Sequence, residues 1–129
     1  MSNVIAHLLY SKEHEWVEVQ SENKVRIGIT DFAQNQLGDL VFVDLPEVGT
    51  KVKADESMGS VESVKAVSDI FSPVSGTVVE VNPLLEDAPE TINSDCYGEG
   101  WMVVVELDQP EELKQLLNAE QYRGFTEEE

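Results

Sequence analysis

Basic side chains are scarce in this chain, so the place of each carries information. From Ala54 to Leu113 the sequence runs 60 residues with 14 acidic side chains and a single base, Lys65. Its surroundings read Glu62-Ser63-Val64-Lys65-Ala66-Val67-Ser68-Asp69. Small residues flank the lysine, and extended segments lie on both sides, which places it at a hairpin tip. A lysine there is exposed, mobile and reachable by a modifying enzyme. Spacing alone allows a second description, an ordinary surface lysine in a weak ion pair with Glu62 or Asp69.

The other reactive residue types assemble nothing comparable. His7 and His14 form no metal-ligand spacing with each other or with Cys96. Cys96 is the only cysteine, which excludes an internal disulfide and fits a reducing compartment. It lies between Asp95 and Tyr97, with no cationic neighbour to lower its pKa, and reads as an incidental thiol. The chain lacks a glycine-rich loop ahead of a helix, the H-E-x-x-H and G-x-S-x-G signatures, and EF-hand spacing.

The elements that must hold Lys65 are mostly strands. Glu15–Gln20 and Lys24–Ile29 flank the polar turn Ser21-Glu22-Asn23 and predict a hairpin. Val25, Ile27 and Ile29 alternate with Lys24, Arg26 and Gly28, so one sheet face is apolar. Thr30-Asp31 offers the N-cap of a helix of about two turns that Gly38 can stop. Leu40–Leu45 is a strand stopped by Pro46, and Val52 begins another extended piece. Three or four short strands follow between Asp55 and Asn82, the clearest being Thr77–Val81. Pro83–Asn93 has room for one irregular helical turn, and Trp101–Leu107 is a strong strand. Asp108–Glu111 resembles a helix start, with Leu113, Leu116 and Leu117 at helical spacing beyond it. The tail Thr126–Glu129 is expected to fray. The pattern predicts a mainly β fold, a small antiparallel sandwich or flattened barrel with a short helix near each end. Residues 1–129 read as one domain.

Composition narrows the partners. The chain has 129 residues, 26 acidic against 8 basic side chains, and a formal net charge of -18. Such a surface repels nucleic acid and anionic membranes and opposes self-association, so a monomer is expected. A protein partner would present basic residues; the alternative is that acidity serves solubility only. No apolar run reaches membrane-spanning length, and the first residues lack signal- or transit-peptide character, which reads as cytoplasmic.

Six segments occur together in order: Tyr10–Trp16, Gly28–Asp31, Leu37–Asp39, Val41–Pro46, Glu62–Ala66 and Gly100-Trp101. In this combination the chain resembles the H protein family of the glycine cleavage system, from about Leu9 to Leu117. The resemblance implies a lipoyl-domain sandwich of two small antiparallel sheets. It implies lipoic acid joined to Lys65 by an amide, the lysine losing its charge. It also implies a carrier rather than an enzyme. Glycine decarboxylase would load the arm with an aminomethyl group, the aminomethyltransferase would pass the one-carbon unit to tetrahydrofolate, and dihydrolipoamide dehydrogenase would reoxidise the dithiol.

The resemblance further matches Glu15 and Asp69 to a cleft that shelters the loaded arm, where a carboxylate can hold a cationic aminomethyl group. Glu62 is matched to recognition by the lipoylating enzyme. His14 is expected to be structural, and Trp16 and Trp101 to be packing residues. Glu13 and Phe32 depart from residues frequent in the family, which bears on the detail of the cleft. Other readings stay open. A lipoyl donor in lipoate relay needs the same Lys65. A biotin carrier sets its lysine between methionines, whereas Val64 and Ala66 flank Lys65. A pure interaction module or a small hydrolase would leave Lys65 incidental.

Overall fold

A computed structural model of the chain describes residues 5–21 and 23–127. Its strands are β1 (Leu9–Tyr10), β2 (Glu15–Val19), β3 (Lys24–Ile29), β4 (Leu40–Asp44), β5 (Lys51–Val52), β6 (Ser57–Ser63), β7 (Val67–Phe71), β8 (Gly76–Val81) and β9 (Val103–Leu107). The helices are α1 (Asp31–Leu37), α2 (Leu84–Asp87), α3 (Thr91–Asp95) and α4 (Ala119–Glu127), with a 3-10 turn over Pro110–Gln115.

All strand pairings are antiparallel. They build a six-stranded sheet in the order β1-β2-β3-β9-β8-β5 and a three-stranded sheet in the order β4-β6-β7. This is the expected sandwich of two open sheets, not a closed barrel. Alternation does the work anticipated on β3: Val25, Ile27 and Ile29 are buried and join Val103 and Val105 of β9 in the main core. Val61 and Ile70 of the smaller sheet enter the same cluster. Each such fully buried aliphatic side chain contributes about 1.5–3 kcal/mol by leaving water.

The expected β2–β3 hairpin is present, and its register sets Trp16 opposite Gly28. A β-carbon at Gly28 would sit 2.7 Å from the Trp16 indole, so only glycine leaves room for that buried ring. Glu22 of the predicted turn lies outside the described residues. Thr30 caps α1 through its hydroxyl, which accepts from the Ala33 amide at 3.2 Å. Three strands, not four, occupy the Asp55–Asn82 stretch. Trp101 and Met102 precede β9, although the Met102 amide still donates to Ile27 O at 2.8 Å.

The helical regions depart more from expectation. Two short helices, α2 and α3, replace the single turn predicted in Pro83–Asn93. The predicted C-terminal helix through Leu113, Leu116 and Leu117 is instead the 3-10 turn, after which the chain becomes extended at Leu116. Leu117 pairs with Tyr10 by backbone bonds of 2.8 and 2.7 Å, so sheet pairing overrides the helical spacing. The true helix, α4, starts one turn later. Asn118 Oδ1 accepts from the Gln121 amide at 2.8 Å, and Gln121 Oε1 accepts from the Asn118 amide at 2.9 Å. This reciprocal capping box was available in Asn118-Ala119-Glu120-Gln121. Thr126 and Glu127 of the expected frayed tail belong to α4, and Glu128 and Glu129 lie outside the described residues.

The second apolar cluster explains why α4 docks. Tyr122 is fully buried and stacks on Tyr10 with ring centroids 4.4 Å apart; Leu8, Trp16 and Ala119 complete the cluster.

Candidate functional site

Lys65 lies at the tip of the β6–β7 hairpin. Glu62 pairs with Val67 as the last strand register, and the Ser63 amide donates to Ala66 O at 2.8 Å to close the turn. The Ser63 hydroxyl then accepts from the amides of Lys65 (3.2 Å) and Ala66 (3.0 Å), the local side-chain-to-backbone bonding that makes serine a turn former. A further tether comes from outside: the Val64 amide donates to Asp39 O at 3.1 Å. The backbone of the tip is thus fixed, while Val64, Lys65, Ala66 and Val67 are all exposed.

The lysine side chain runs past Gly38, whose absent β-carbon would stand 3.4 Å from Lys65 Cε. Gly38 has φ 82° and ψ -158°, a conformation open to glycine. It therefore ends α1 and leaves space for the lysine methylenes at once. Lys65 forms no ion pair with Glu62, Asp69 or any other described residue.

Glu62 is exposed between Phe42 and Val67 in the cross-strand row. Asp69, also exposed, lies opposite Ser60, which in turn faces Asp44. Cross-strand partners share a face, so the solvent side of the small sheet mixes Phe42 and Val67 with three carboxylates.

Glu15 differs from both. It is 2% exposed, and it spans the two sheets: Oε1 accepts from the Ser11 hydroxyl at 2.6 Å and Oε2 from the Phe71 amide at 3.3 Å. Burial pushes its carboxyl up to about 8; the bonds from Ser11 and Phe71 pull the other way, and Glu13 and Asp55 add repulsion. At neutral pH it is mostly a neutral acid. Phe71 stands two residues from Asp69 on β7, so the amide that bonds the buried Glu15 and the exposed Asp69 belong to one strand. A cavity of about 320 Å³ opens beside Ser11, lined also by Glu13, Asp55 and Glu112.

The remaining candidates make packing and hydrogen-bond contacts. His14 is half-buried, stacks on Phe32 at 4.5 Å, and its Nδ1 lies 2.7 Å from the Tyr122 hydroxyl. That hydroxyl also bonds Thr30 Oγ1 at 2.7 Å. Trp16 is buried and donates to Cys96 O at 2.9 Å, while Arg26 lies over the Trp101 ring at 5.1 Å. Burial pushes the Cys96 thiol up to about 12. Among the described residues no cluster of His, Cys, Asp and Glu can hold a metal ion, and no helix is long and apolar enough to cross a membrane. The sequence reading passed over Ser63, Ser11, Gly38 and Asp39 as contributors to the site. A serine immediately before a turn is the signal that identifies Ser63; the others are brought in by tertiary packing.

The fold defines the class: a lipoyl-domain-like β sandwich with its lysine-bearing hairpin on the smaller sheet. Residues 8–129 match the family model described as Glycine cleavage H-protein. The chain is 57% identical over 122 residues to the glycine cleavage system H protein of Coprothermobacter proteolyticus, covering 95% of this chain and 96% of that one. It is 56% identical to the Halalkalibacterium halodurans H protein over 129 residues, the full length of both. A crystal structure of the H protein from Mycobacterium marinum superposes with a TM-score of 0.88 at 43% identity, covering 96% of this chain and 99% of that one. The chain belongs to the glycine cleavage H-protein family.

Proposed function

We propose that this chain is the lipoyl carrier of a glycine cleavage system, with the lipoyl group in amide linkage to Lys65 and residues 1–129 acting as one monomeric carrier unit in the cytoplasm. The observation that carries the reading is the hairpin tip: an exposed lysine with no ion pair among the described residues, on a backbone held by Ser63 and Asp39. A fixed tip aims the attached arm, and Gly38 leaves it room at the root. When bound, the group supplies a dithiolane that takes up the aminomethyl unit of glycine and is later reoxidised from the dithiol.

This chain's own residues present and shelter that arm. Amide formation removes the Lys65 charge, so the side chain can lie on the protein surface. Glu62 and the exposed face around it meet the lipoylating enzyme. The acidic surface steers glycine decarboxylase, the aminomethyltransferase and dihydrolipoamide dehydrogenase onto the carrier through basic docking sites. Tethering presents the carried unit at high effective concentration to whichever partner is docked. Glu15, buried with no ion pair among the described residues, ionises when an ammonium group comes within reach, and Asp69 adds a second carboxylate from the exposed side.

Reconstitution tests the reading. The lipoylated protein, mixed with the three partner enzymes and tetrahydrofolate, is expected to support glycine-dependent release of carbon dioxide, and Lys65→Arg is expected to support none. Equal turnover with K65R would sink it. Failure of the modified protein to bind avidin separates it from a biotin carrier.

A further inference from the structure

We propose that Asn93 is a positioning residue for Lys65, acting from α3 through the turn that joins α1 to β4. The inference rests on Lys65 being the modified lysine and deepens that reading.

Asn93 is half-buried, next to the fully buried Ile92 that anchors α3 in the core. Its side chain makes three bonds across one turn. Nδ2 donates to Gly38 O and to Gln34 Oε1, both at 2.9 Å, and Oδ1 accepts from the Leu40 amide at 2.9 Å. Both amide donors and the carbonyl acceptor are engaged, so the orientation of the side chain is fixed. The residue enclosed by these bonds is Asp39, whose carbonyl takes the Val64 amide at the hairpin tip. The residue that starts the clasp, Gly38, is the one over which Lys65 lies. The Gly38–Leu40 turn is thus the seat of the hairpin tip; Leu40 anchors one end of it in the core, and Asn93 clasps it to α3.

The consequence is directional. Without Asn93, the Gly38 carbonyl and the Leu40 amide lose their partner, and Asp39 no longer holds a defined place for Val64. Ser63 still closes the hairpin, so Lys65 remains exposed, but its aim relative to the β4–β6–β7 face is loosened. An enzyme that docks on that face and reaches for the amine then meets it less often in the reactive geometry. The loss falls on kcat more than on KM, because the docking face is intact.

The experiment compares wild type, Asn93→Asp and Asn93→Ala as substrates for a purified lipoylating enzyme with lipoate and ATP, together with amide hydrogen exchange at Val64. N93D preserves size and the acceptor for Leu40 while removing both donations. Asn82→Ala serves as the control, since Asn82 makes the same kind of clasp elsewhere, donating to Glu99 O and Trp101 O and accepting from the Leu84 amide. Both Asn93 variants are expected to lower kcat for lipoylation by about tenfold and to speed Val64 exchange by about as much, the scale of one to two net hydrogen bonds. N82A is expected to change neither. If N93A does not fold, Gln34→Ala, which removes a single bond of the clasp, takes its place with a smaller effect in the same direction. Wild-type kcat and Val64 protection in N93D overturn the proposal. Absence of lipoylation on wild type itself overturns the Lys65 reading instead, and Val64 exchange then still decides whether Asn93 holds the tip.

Discussion

Replacing Glu15 by glutamine should change how stability depends on pH. In the fold this carboxyl titrates near 8, against an ordinary value of 4.5. Between those values the folded chain holds a proton that the unfolded chain has released. The unfolded state therefore binds fewer protons, and stability falls as pH rises through this window. Each pH unit within it is worth roughly 1.4 kcal/mol, so on the order of 3 kcal/mol is lost between pH 4.5 and pH 7 from this one group. Glutamine has nearly the same shape, its carbonyl can accept from the Phe71 amide while its Nε2 donates to the Ser11 oxygen, and it carries no titrating proton. Urea unfolding of both proteins at pH 5, 6, 7 and 8 gives the difference in stability at each pH, in which contributions from the other carboxylates largely cancel. The expected result is a difference that moves steadily in favour of E15Q, by on the order of 3 kcal/mol across the series. Parallel curves would show that Glu15 is ionised in the folded state and would refute the argument that burial dominates its environment.

Other perturbations follow from the packing. Gly28→Ala forces a β-carbon into the buried Trp16 indole and should cost about 1–3 kcal/mol in denaturant unfolding. Tyr122→Phe removes the hydroxyl that bonds both His14 and Thr30, and should cost about 1–3 kcal/mol while the stacking on Tyr10 persists. Cys96, with its thiol pushed up to about 12, should resist alkylation at pH 8 in the folded protein and react promptly once unfolded in denaturant.

The candidate site was legible where one residue stood out chemically from its neighbours. Lys65 is the single base in an acid-rich stretch, and the Val-rich segments around it have strand periodicity, so both its exposure and its hairpin could be read directly. The β2–β3 hairpin and the Thr30 cap were legible for the same reason, since the pattern and the local bonding agree. The C-terminal segment was not, because two signals conflicted. Leu113, Leu116 and Leu117 have helical spacing, but pairing of Leu117 with Tyr10 prevailed, and the capping box at Asn118 went unread. Glu15 shows the limit most clearly. Its strand was correct, yet its near-complete burial depends on β7 and Ser11 closing over it, contacts between segments that no local pattern encodes. Asn93 was hidden likewise in a stretch that reads only as irregular.

The central claim is that Lys65 carries the lipoyl group, and peptide mapping of intact protein from a lipoate-fed host tests it directly beside Lys65→Arg. Lys65 is exposed, so the substitution should leave stability within about 0.5 kcal/mol and isolate the chemistry. The account predicts a lipoyl-sized mass addition on the peptide containing Lys65 and none on the variant. An unmodified Lys65 in the presence of a competent lipoylating enzyme, or an addition mapped to another lysine, would contradict it.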